Sequence, residues 1–339
     1  MDADNTAIIG QVSGGVDLSF GEMSRVVGDL MQGGWADDEI ALLLNALRIK
    51  GETVEEVAGA AAAMRRKMTP IRSSRSGVVD TCGTGGDGSG TFNISTAAAL
   101  VTAAAGAPVA KHGNRSITSK TGSADVLAAL GVNIEASVPL VERCLEEVGI
   151  CFCFAPQLHP SMKHVAAARR KLGVPTIFNM LGPLCNPAAA PFQLLGVGRA
   201  NLRELLSSAL VLLDTQRAVV VCGEDGLDEV TLSGVTKVTE VRGASRTEFT
   251  WHPADFGLEV AGNESLLVAG PQDSARMIQG VLDGQSGPPR DIVLLNAAAA
   301  LWAAGIENDL KAGVKRSAAA IDSGAARELV ARLVKVSHS

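Results

Sequence analysis

Residues 19–68 carry apolar residues at the spacing typical of helices, and this pattern ends near residue 70. The acidic run 37–39 precedes the apolar run 40–44, as is typical of a helix N-terminus. A break at residues 51–53 is followed by a second helical stretch that reaches residue 68. We therefore predict that this part of the chain contains helices only, and that the polar residues 70–77 form a turn-rich link.

Short apolar segments alternate with helical segments after the link. The apolar segments predict strands at residues 77–80, 108–111, 150–154 and 218–222. Helical spacing occurs at residues 95–105, 123–130, 138–148 and 284–339. The longest apolar stretch, residues 292–306, is too short to span a bilayer comfortably and contains Asn296, so we predict a buried helix there.

This alternation predicts an α/β fold, in which a mainly parallel central sheet is flanked by helices and accompanied by a smaller all-helical segment. In such sheets the crossovers are right-handed, and ligands bind beyond the carboxyl ends of the strands. The loops after the predicted strands should therefore meet at one edge. They contain the glycine-rich residues 83–90, residues 111–119, His159 and the acidic residues 224–229.

Composition and charge narrow the class of protein. The 339 residues are 47% hydrophobic and 19% charged, which allows a large core and makes two domains the natural expectation. The net charge of −6 argues against sequence-independent binding of nucleic acid. The six cysteines form no CxxC pair and no secretory signal is visible, so we expect buried thiols in a reducing cytoplasm.

Two of the loops have the chemistry of a phosphate site. Glycines at 83, 85, 86, 88 and 90 let backbone N–H groups approach an anion, and the helix behind them adds its positive N-terminal end. The spacing matches neither the dinucleotide fingerprint nor the P-loop, so a plain tight turn is the alternative for this loop alone. Lys111, Arg115 and Ser119 on the neighbouring loop favour a heavily phosphorylated small molecule.

Four carboxylates follow the predicted strand at residues 218–222; they are Glu224, Asp225, Asp228 and Glu229. At this density they repel one another unless they are solvated or bound to a cation. A solvated turn is one interpretation. Beside a phosphate site, Mg²⁺ is the other, because it prefers oxygen ligands and is usually shared between carboxylates and phosphates.

His159 and the basic run 169–171 each leave two interpretations open. His159 could orient a substrate, although a lone histidine in a loop is more often structural. The basic run is either the solvated face of a helix or a fork for a substrate carboxylate, a role that Arg fills better than Lys.

Several long motifs occur in the order found in one enzyme family. They are Gly83–Asp87, Thr91–Thr96, Lys111–Ser116, Gly122–Leu127, His159–Lys163, Asn179–Pro187 and Gly226–Glu229. In these motifs, and from about residue 18 to residue 334, the chain resembles the anthranilate phosphoribosyltransferases of tryptophan biosynthesis. Ser161 and Cys185 stand where that family often has Ala and Thr.

The resemblance implies the fold of the pyrimidine nucleoside phosphorylases. A small helical domain would comprise residues 1–75 and an excursion near 165–190, and an α/β domain, residues 76–164 and 191–339, would bind 5-phosphoribosyl 1-pyrophosphate (PRPP). The implied reaction joins anthranilate to PRPP and releases pyrophosphate. The implied cofactor is Mg²⁺, with two ions per subunit, and the implied assembly is a homodimer that associates through the helical domain.

Family roles carry over to the matching positions. The residues implied to hold PRPP are Gly83, Gly86, Asp87, Thr91, Asn93, Ile94, Ser95, Thr96, Lys111, His112, Gly113, Asn114, Arg115, Ser116, Ile117, Thr118, Ser119 and Ser123. Those implied to line the anthranilate site are Gly83, Asn114, His112, His159, Arg169 and Pro183, with Arg169 facing the carboxylate. Ser95, Asp228 and Glu229 are implied to serve the metal ions.

Two other functions stay open at this point. A pyrimidine nucleoside phosphorylase shares the implied fold and binds ribose and phosphate, but the loop at 111–115 and the Asp228–Glu229 pair argue against it. A non-catalytic relative that binds nucleic acid is disfavoured by the acidic net charge and by the same pair. The sequence predicts neither a nucleic-acid partner nor a membrane partner.

Overall fold

The structure, a computed structural model, describes residues 3–116 and 121–339. Its N-terminal part consists of helices α1 (Ala3–Ser13), α2 (Phe20–Leu30), α3 (Asp37–Lys50) and α4 (Val54–Lys67), as predicted for residues 19–68. Helices α2 and α4 begin after Ser19 and Thr53, because each of these side chains accepts a hydrogen bond from the first turn. No helix within the described ranges is long and apolar enough to cross a membrane.

A seven-stranded sheet forms the centre of the remaining chain. Its strands are β1 (Val79–Gly83), β2 (Val109–Gly113), β3 (Ile150–Phe154), β4 (Phe192–Gly196), β5 (Arg217–Gly223), β6 (Thr236–Arg242) and β7 (Ser245–Trp251). The strand order is β3-β2-β1-β4-β5-β6-β7, in which β1 to β5 are parallel and β6 and β7 are antiparallel. The predicted fold class, with a mainly parallel sheet, is confirmed.

The four predicted strands correspond to β1, β2, β3 and β5, with bounds that differ by a few residues at most. Strand β4 and the hairpin of β6 and β7 escaped prediction. Strand β7 is exposed along most of its length, so its residues form no apolar run.

Helices cover both faces of this sheet. They are α5 (Ile94–Ala104), α6 (Ser123–Ala129), α7 (Val138–Arg143), α8 (Ala155–Leu158), α9 (Lys163–Leu172), α10 (Phe178–Leu181), α11 (Ala200–Leu212), α12 (Pro271–Leu282), α13 (Pro288–Ala303), α14 (Leu310–Asp322) and α15 (Ala325–Ser337). The predicted helix at 138–148 continues from α7 into a π-helical turn at Cys144–Val148. The predicted buried helix corresponds to α13.

Neighbouring residues of the central strands face two separate hydrophobic cores. Leu194 belongs to a core shared with α5 and α13, whereas Leu195 belongs to a core shared with α2, α3 and α4. Side chains alternate along a strand, so one face of the sheet packs on the C-terminal helices and the other on the N-terminal helices. The chain returns to the N-terminal helices when α9 packs on α3 and α10 packs on α4.

Candidate active site

The glycine-rich loop and the acidic turn meet at the carboxyl ends of β1, β4 and β5. The backbone N–H of Gly85 donates to Asp228 Oδ2 at 2.8 Å, across 143 positions of sequence. Gly83 and Gly196 lie so close to Asp228 that an added Cβ atom would overlap its carboxylate and its carbonyl, respectively. The sequence analysis did not identify Gly196 as a site residue. Its only signal in the sequence is its position at the end of a short apolar segment.

The conformation of the loop depends on its glycines. Gly85, Gly86, Gly88 and Gly90 all have positive φ angles, between 66° and 76°, which side chains rarely adopt. Asp87, between two of them, accepts a hydrogen bond from the Ser89 N–H at 3.2 Å. At the end of the loop, Thr91 forms a β-bridge with Leu267. The backbone N–H groups of this loop are thereby held in a turn that a larger residue would strain.

Asp228 and Glu229 lie in an environment that disfavours negative charge. Burial raises the pKa of Asp228 to about 7, and the neighbouring Asp87 carboxylate adds to the rise. Burial, followed by the charge of Asp228, raises the pKa of Glu229 well above its usual value. A divalent cation beside these carboxylates would compensate their charge, and oxygen ligands of this kind suit Mg²⁺.

The protein supplies only part of a metal coordination shell here. Within residues 3–116 and 121–339, no group of three or more His, Cys, Asp or Glu side chains is arranged to hold a metal ion. An ion at Asp228 and Glu229 would therefore take further ligands from a hydroxyl, water or phosphate, as Mg²⁺ usually does in phosphate sites.

Lys111 is buried beneath the acidic turn. Its Nζ atom donates to the Thr81 carbonyl at 2.6 Å and to Ser95 Oγ at 3.1 Å, and only 3% of the residue is exposed. Burial lowers the pKa of Lys111, while nearby acidic groups that include Glu229 and Asp228 raise it. The ammonium group is thus held between the start of α5 and the acidic turn, where it offsets part of the negative charge of Asp228 and Glu229.

The N-terminus of α5 lies beside the glycine-rich loop. Asn93 caps the helix, because its Oδ1 atom accepts from the Thr96 N–H at 3.0 Å and from Ser95 Oγ at 3.3 Å. Its amide group donates to the Thr121 carbonyl at 2.7 Å. The side chains of Ile94 and Thr96 are buried. Ile94 could therefore contact a phosphate only through its backbone N–H group, whereas the backbone N–H of Thr96 already donates to the cap.

The loop after β2 contains an arginine that forms two ion pairs. Arg115 is exposed and forms ion pairs with Asp125 at 3.2 Å and Glu135 at 3.4 Å. The Ser116 N–H donates to the Asp125 carboxylate at 3.0 Å. The structure therefore places the positive charge of Arg115 beside two carboxylates that a phosphate ligand would have to replace.

Ser123, at the start of α6, contacts the first residues of the loop after β2. Its hydroxyl donates to the Asn114 carbonyl at 3.4 Å, and an added Cβ atom at Gly113 would overlap it. The predicted ligand residues Ile117, Thr118 and Ser119 lie outside the described residues.

His112 and His159 are in contact between β2 and the turn at residues 182–185. Their Nε2 atoms are 3.2 Å apart, and His112 Nδ1 is 3.0 Å from the Gly182 carbonyl oxygen. Burial lowers the pKa of His112 to about 3 and that of His159 to about 4, so both imidazoles are neutral at pH 7. Pro183 is buried in the same turn, and its carbonyl accepts from Gln193 at 2.6 Å.

Arg169 lies on α9, at the side of the N-terminal helices. Its guanidinium carbon is 5.5 Å from the centre of the Phe178 ring, and its Nη2 atom donates to Asn179 Oδ1 at 3.4 Å. Burial lowers its pKa. In the part of the chain that the structure describes, no carboxylate forms an ion pair with Arg169, whereas nearby Lys171 pairs with Asp38. Arg169 can therefore offer its guanidinium to the carboxylate of a ligand.

Two family models together match most of the chain. The helical bundle domain of a glycosyl transferase family matches residues 6–68, and the a/b domain of the same family matches residues 75–327. A protein of Rhodopirellula baltica called anthranilate phosphoribosyltransferase is 50% identical over 322 residues, covering 95% of this chain and 94% of that protein. A protein of the same name from Rhodospirillum rubrum is 51% identical over 333 residues, covering 98% and 96%.

Solved structures of proteins with this name have the same fold. That of Thermus thermophilus superposes with a TM-score of 0.92 at 41% identity, covering 98% of this chain and 99% of that chain. That of Saccharomyces cerevisiae, in complex with PRPP and Mg, superposes with a TM-score of 0.90 at 28% identity, covering 100% and 99%. A second yeast structure, with 4-fluoroanthranilate, has a TM-score of 0.90 at 26% identity and covers 100% and 98%.

Proposed function

The chain belongs to the anthranilate phosphoribosyltransferases of the glycosyl transferase family, and from this premise we propose how its described residues bind and join the substrates. The enzyme transfers the phosphoribosyl group of PRPP to the amine of anthranilate and releases pyrophosphate, in tryptophan biosynthesis. Membership of this family favours the transferase reaction over phosphorolysis of a pyrimidine nucleoside, the alternative that the sequence left open.

The contact of Gly83 and Gly85 with Asp228 carries the proposal for the PRPP site. It joins a loop that presents backbone N–H groups to a turn that presents carboxylates, which is the arrangement a magnesium-bound pyrophosphate requires. PRPP would lie between this loop, the N-terminus of α5 and the loop after β2. The residues in contact with it would be the eighteen predicted positions from Gly83 to Ser123, many of them through backbone N–H groups.

Asp228, Glu229 and Ser95 would hold Mg²⁺, which serves the yeast relative in its complex with PRPP. The bound ion supplies positive charge that stabilises the pyrophosphate as it leaves. We propose two ions per subunit, the number that the family resemblance implies, with Asp228 and Glu229 each offering carboxylate oxygens as ligands. Lys111, between Ser95 and the acidic turn, adds a fixed positive charge to this region.

The poor nucleophilicity of anthranilate shapes the mechanism. The lone pair of its amine is delocalised into the aromatic ring, so direct displacement would be slow. Departure of pyrophosphate would therefore lead, and ribose C1 would gain oxocarbenium character. The loop N–H groups around Gly85 would stabilise the charge growing on the leaving group, and the fixed position of the amine near C1 would supply the remaining advantage.

Anthranilate would bind between the loop after β2 and the N-terminal helices, with its carboxylate facing Arg169. The absence of an ion pair to Arg169 among the described residues supports this assignment, since a half-buried guanidinium benefits from an incoming carboxylate. The remaining predicted contacts, Gly83, Asn114, His112, His159 and Pro183, lie at the sheet edge and in the turn at residues 182–185.

A homodimer that associates through the helical domain would explain an exposed apolar surface. Leu42 and Ile49, on one face of α3, are 51% and 72% exposed, and Val16, between α1 and α2, is 54% exposed. We assign residues 1–75 and the excursion near 165–190 to that domain, because α9 and α10 pack on α3 and α4. The six cysteines are all free and buried, as suits the reducing cytoplasm that we propose as its location.

The first experiment follows the loss of anthranilate fluorescence with PRPP and Mg²⁺, with pyrophosphate release measured in parallel. If the fluorescence falls at the rate at which pyrophosphate is released, and EDTA abolishes both changes, the proposed reaction and its need for a metal ion are supported. If pyrophosphate appears only with another aromatic amine or base, the PRPP site stands and the anthranilate contacts of Arg169, Asn114 and His159 are wrong. If the folded protein neither lowers the anthranilate fluorescence nor releases pyrophosphate, the proposal is wrong.

A further inference from the structure

The contact between His112 and His159 constrains where their protons lie. A carbonyl oxygen only accepts hydrogen bonds, so the 3.0 Å contact with Gly182 places a proton on Nδ1 of His112. In a neutral imidazole the other nitrogen, Nε2, is then an acceptor without a proton. His159 Nε2, at 3.2 Å, must therefore carry the proton of the contact between the rings.

The second ring nitrogen of His159 is then left without a proton. Two neutral imidazoles carry two ring protons, and the contacts with Gly182 and between the rings use both of them. The Nδ1 atom of His159 therefore keeps a lone pair, and the pair can take up one further proton.

The surroundings of the pair keep this position vacant until a proton is delivered. The two residues are 7% and 6% exposed, so little water reaches them. The positive charge of Lys111, on the same strand, disfavours a further positive charge on His112. Asp80 on β1 accepts a hydrogen bond from the His112 backbone N–H at 3.1 Å through its Oδ1 atom rather than from the ring.

The pair lies at the sheet edge to which both proposed substrate sites belong. His112 is next to Lys111 on β2, with its side chain on the other face of the sheet, and the loop after β2 begins directly beyond Gly113. The turn that contains Gly182 directly follows α10, whose Phe178 and Asn179 contact Arg169. A reacting amine between the metal site and Arg169 would therefore lie beside the two imidazoles.

On the basis of the proposed function, we infer that the His112–His159 pair accepts the proton that the anthranilate amine loses during phosphoribosyl transfer. The lone pair of the amine forms the bond to ribose C1, and the bond from C1 to the pyrophosphate oxygen breaks, with its electrons leaving on pyrophosphate. The nitrogen then carries a positive charge and is strongly acidic, so a weakly basic acceptor is sufficient. Its proton is taken up by the unprotonated Nδ1 atom of His159 and passes later to solvent.

The test compares single-turnover rates of product formation at saturating PRPP and Mg²⁺. In His159→Gln, an amide group replaces the ring nitrogen that faces His112, so a hydrogen bond is retained but no proton is taken up. We expect the rate to fall by about 100-fold or more. The dissociation constant of anthranilate, measured with pyrophosphate in place of PRPP, should change less than about threefold. His164→Gln is the matched control and should keep the wild-type rate.

A His159→Gln rate within about threefold of wild type would overturn the inference. An equal loss of rate and of anthranilate affinity would also overturn it, because that pattern marks a residue that only positions the substrate. If the wild-type enzyme forms no product, the proposed function is wrong and the inference with it. An active wild type with an equally active variant refutes the inference alone.

A second measurement does not depend on turnover. The ¹⁵N NMR signals of the two imidazoles in the resting wild-type enzyme at neutral pH should show two unprotonated ring nitrogens, one in each ring. A third proton on the resting pair would contradict the inference, because the accepting position would already be filled.

Discussion

Asp228 lies against Gly196, and its backbone carbonyl occupies the space that a side chain at residue 196 would need. Gly83 makes the corresponding contact with the Asp228 carboxylate. Both glycines end neighbouring parallel strands and are paired in register. The acidic turn therefore rests on two glycines at the sheet edge, which determine its distance from the glycine-rich loop.

Gly196→Ala should displace the acidic turn. The added methyl group overlaps backbone atoms of Asp228, so the turn has to shift, and we expect the free energy of unfolding to fall by about 1–3 kcal/mol. We also expect kcat/KM to fall by about 100-fold, because the proposed metal ligands Asp228 and Glu229 would move relative to the loop. Urea unfolding and steady-state kinetics measure the two effects. Gly234→Ala, where nothing lies within 4 Å of the added Cβ atom, should change neither, and equal behaviour of the two variants would contradict this prediction.

Asp228→Asn and Glu229→Gln should each lower kcat by about 100-fold or more, because they remove negative charge that would hold Mg²⁺ at the leaving group. The Mg²⁺ concentration for half-maximal rate should rise in both. Glu224→Gln, in the same turn but exposed, is the control. An unchanged kcat at saturating Mg²⁺ in the first two variants would show that the metal assignment is wrong.

Arg169→Lys should raise the KM for anthranilate by about tenfold and leave the KM for PRPP unchanged, because lysine cannot form the paired hydrogen bonds of a guanidinium with a carboxylate. Arg170→Lys, at an exposed position on the same helix, is the matched control and should behave like wild type. Initial rates at varied anthranilate decide the point. Similar KM values for the two variants would place the substrate carboxylate elsewhere.

The buried histidines should make the protein less stable in acid. The pKa values of His112 and His159 in the folded protein, about 3 and about 4, lie below the usual 6.5. Between about pH 6.5 and pH 4 the unfolded chain therefore binds protons that the folded protein does not, and stability falls as pH falls. Each histidine contributes up to about 1.4 kcal/mol per pH unit in this window.

Urea unfolding of the wild type and of His159→Gln at several pH values isolates this contribution. Carboxylates with raised pKa values act in the opposite direction in both proteins, so only the difference between the two slopes is informative. The variant should lose stability less steeply than the wild type between about pH 6 and pH 4. Identical slopes would show that His159 is not neutral in the folded protein.

The proposed dimer makes a further prediction about α3. Leu42→Glu combined with Ile49→Glu should convert the dimer to a monomer, because two charges on this exposed apolar face cannot be buried against a second copy. Ile306→Glu, at a residue 36% exposed after α13, should leave the dimer intact. Size-exclusion chromatography with light scattering measures both. A monomeric wild type would contradict the proposed assembly.

The sequence by itself determined the elements whose signals are local. Ser19 and Thr53 mark helix starts because a capping side chain bonds within its own first turn, and β3 is predicted without error because its five residues are all buried. The glycine-rich loop was equally readable, since positive φ angles restrict residue type at each position separately. Strand β7 could not be predicted, because most of its side chains are exposed and give no apolar pattern. It is held as a strand by its pairing with β6, and pairing is not a local property of the sequence.

Only the tertiary structure decided which distant residues meet. Gly196 is important because β4 lies between β1 and β5, a strand order that no periodicity in the chain encodes. The same holds for Lys111, whose ammonium group lies inward against Thr81 and Ser95, and for the proton positions of His112 and His159. Periodicity and caps act over a few residues, whereas packing between strands and helices acts across the whole chain; the sequence therefore predicts the components of the site, and the fold sets their geometry.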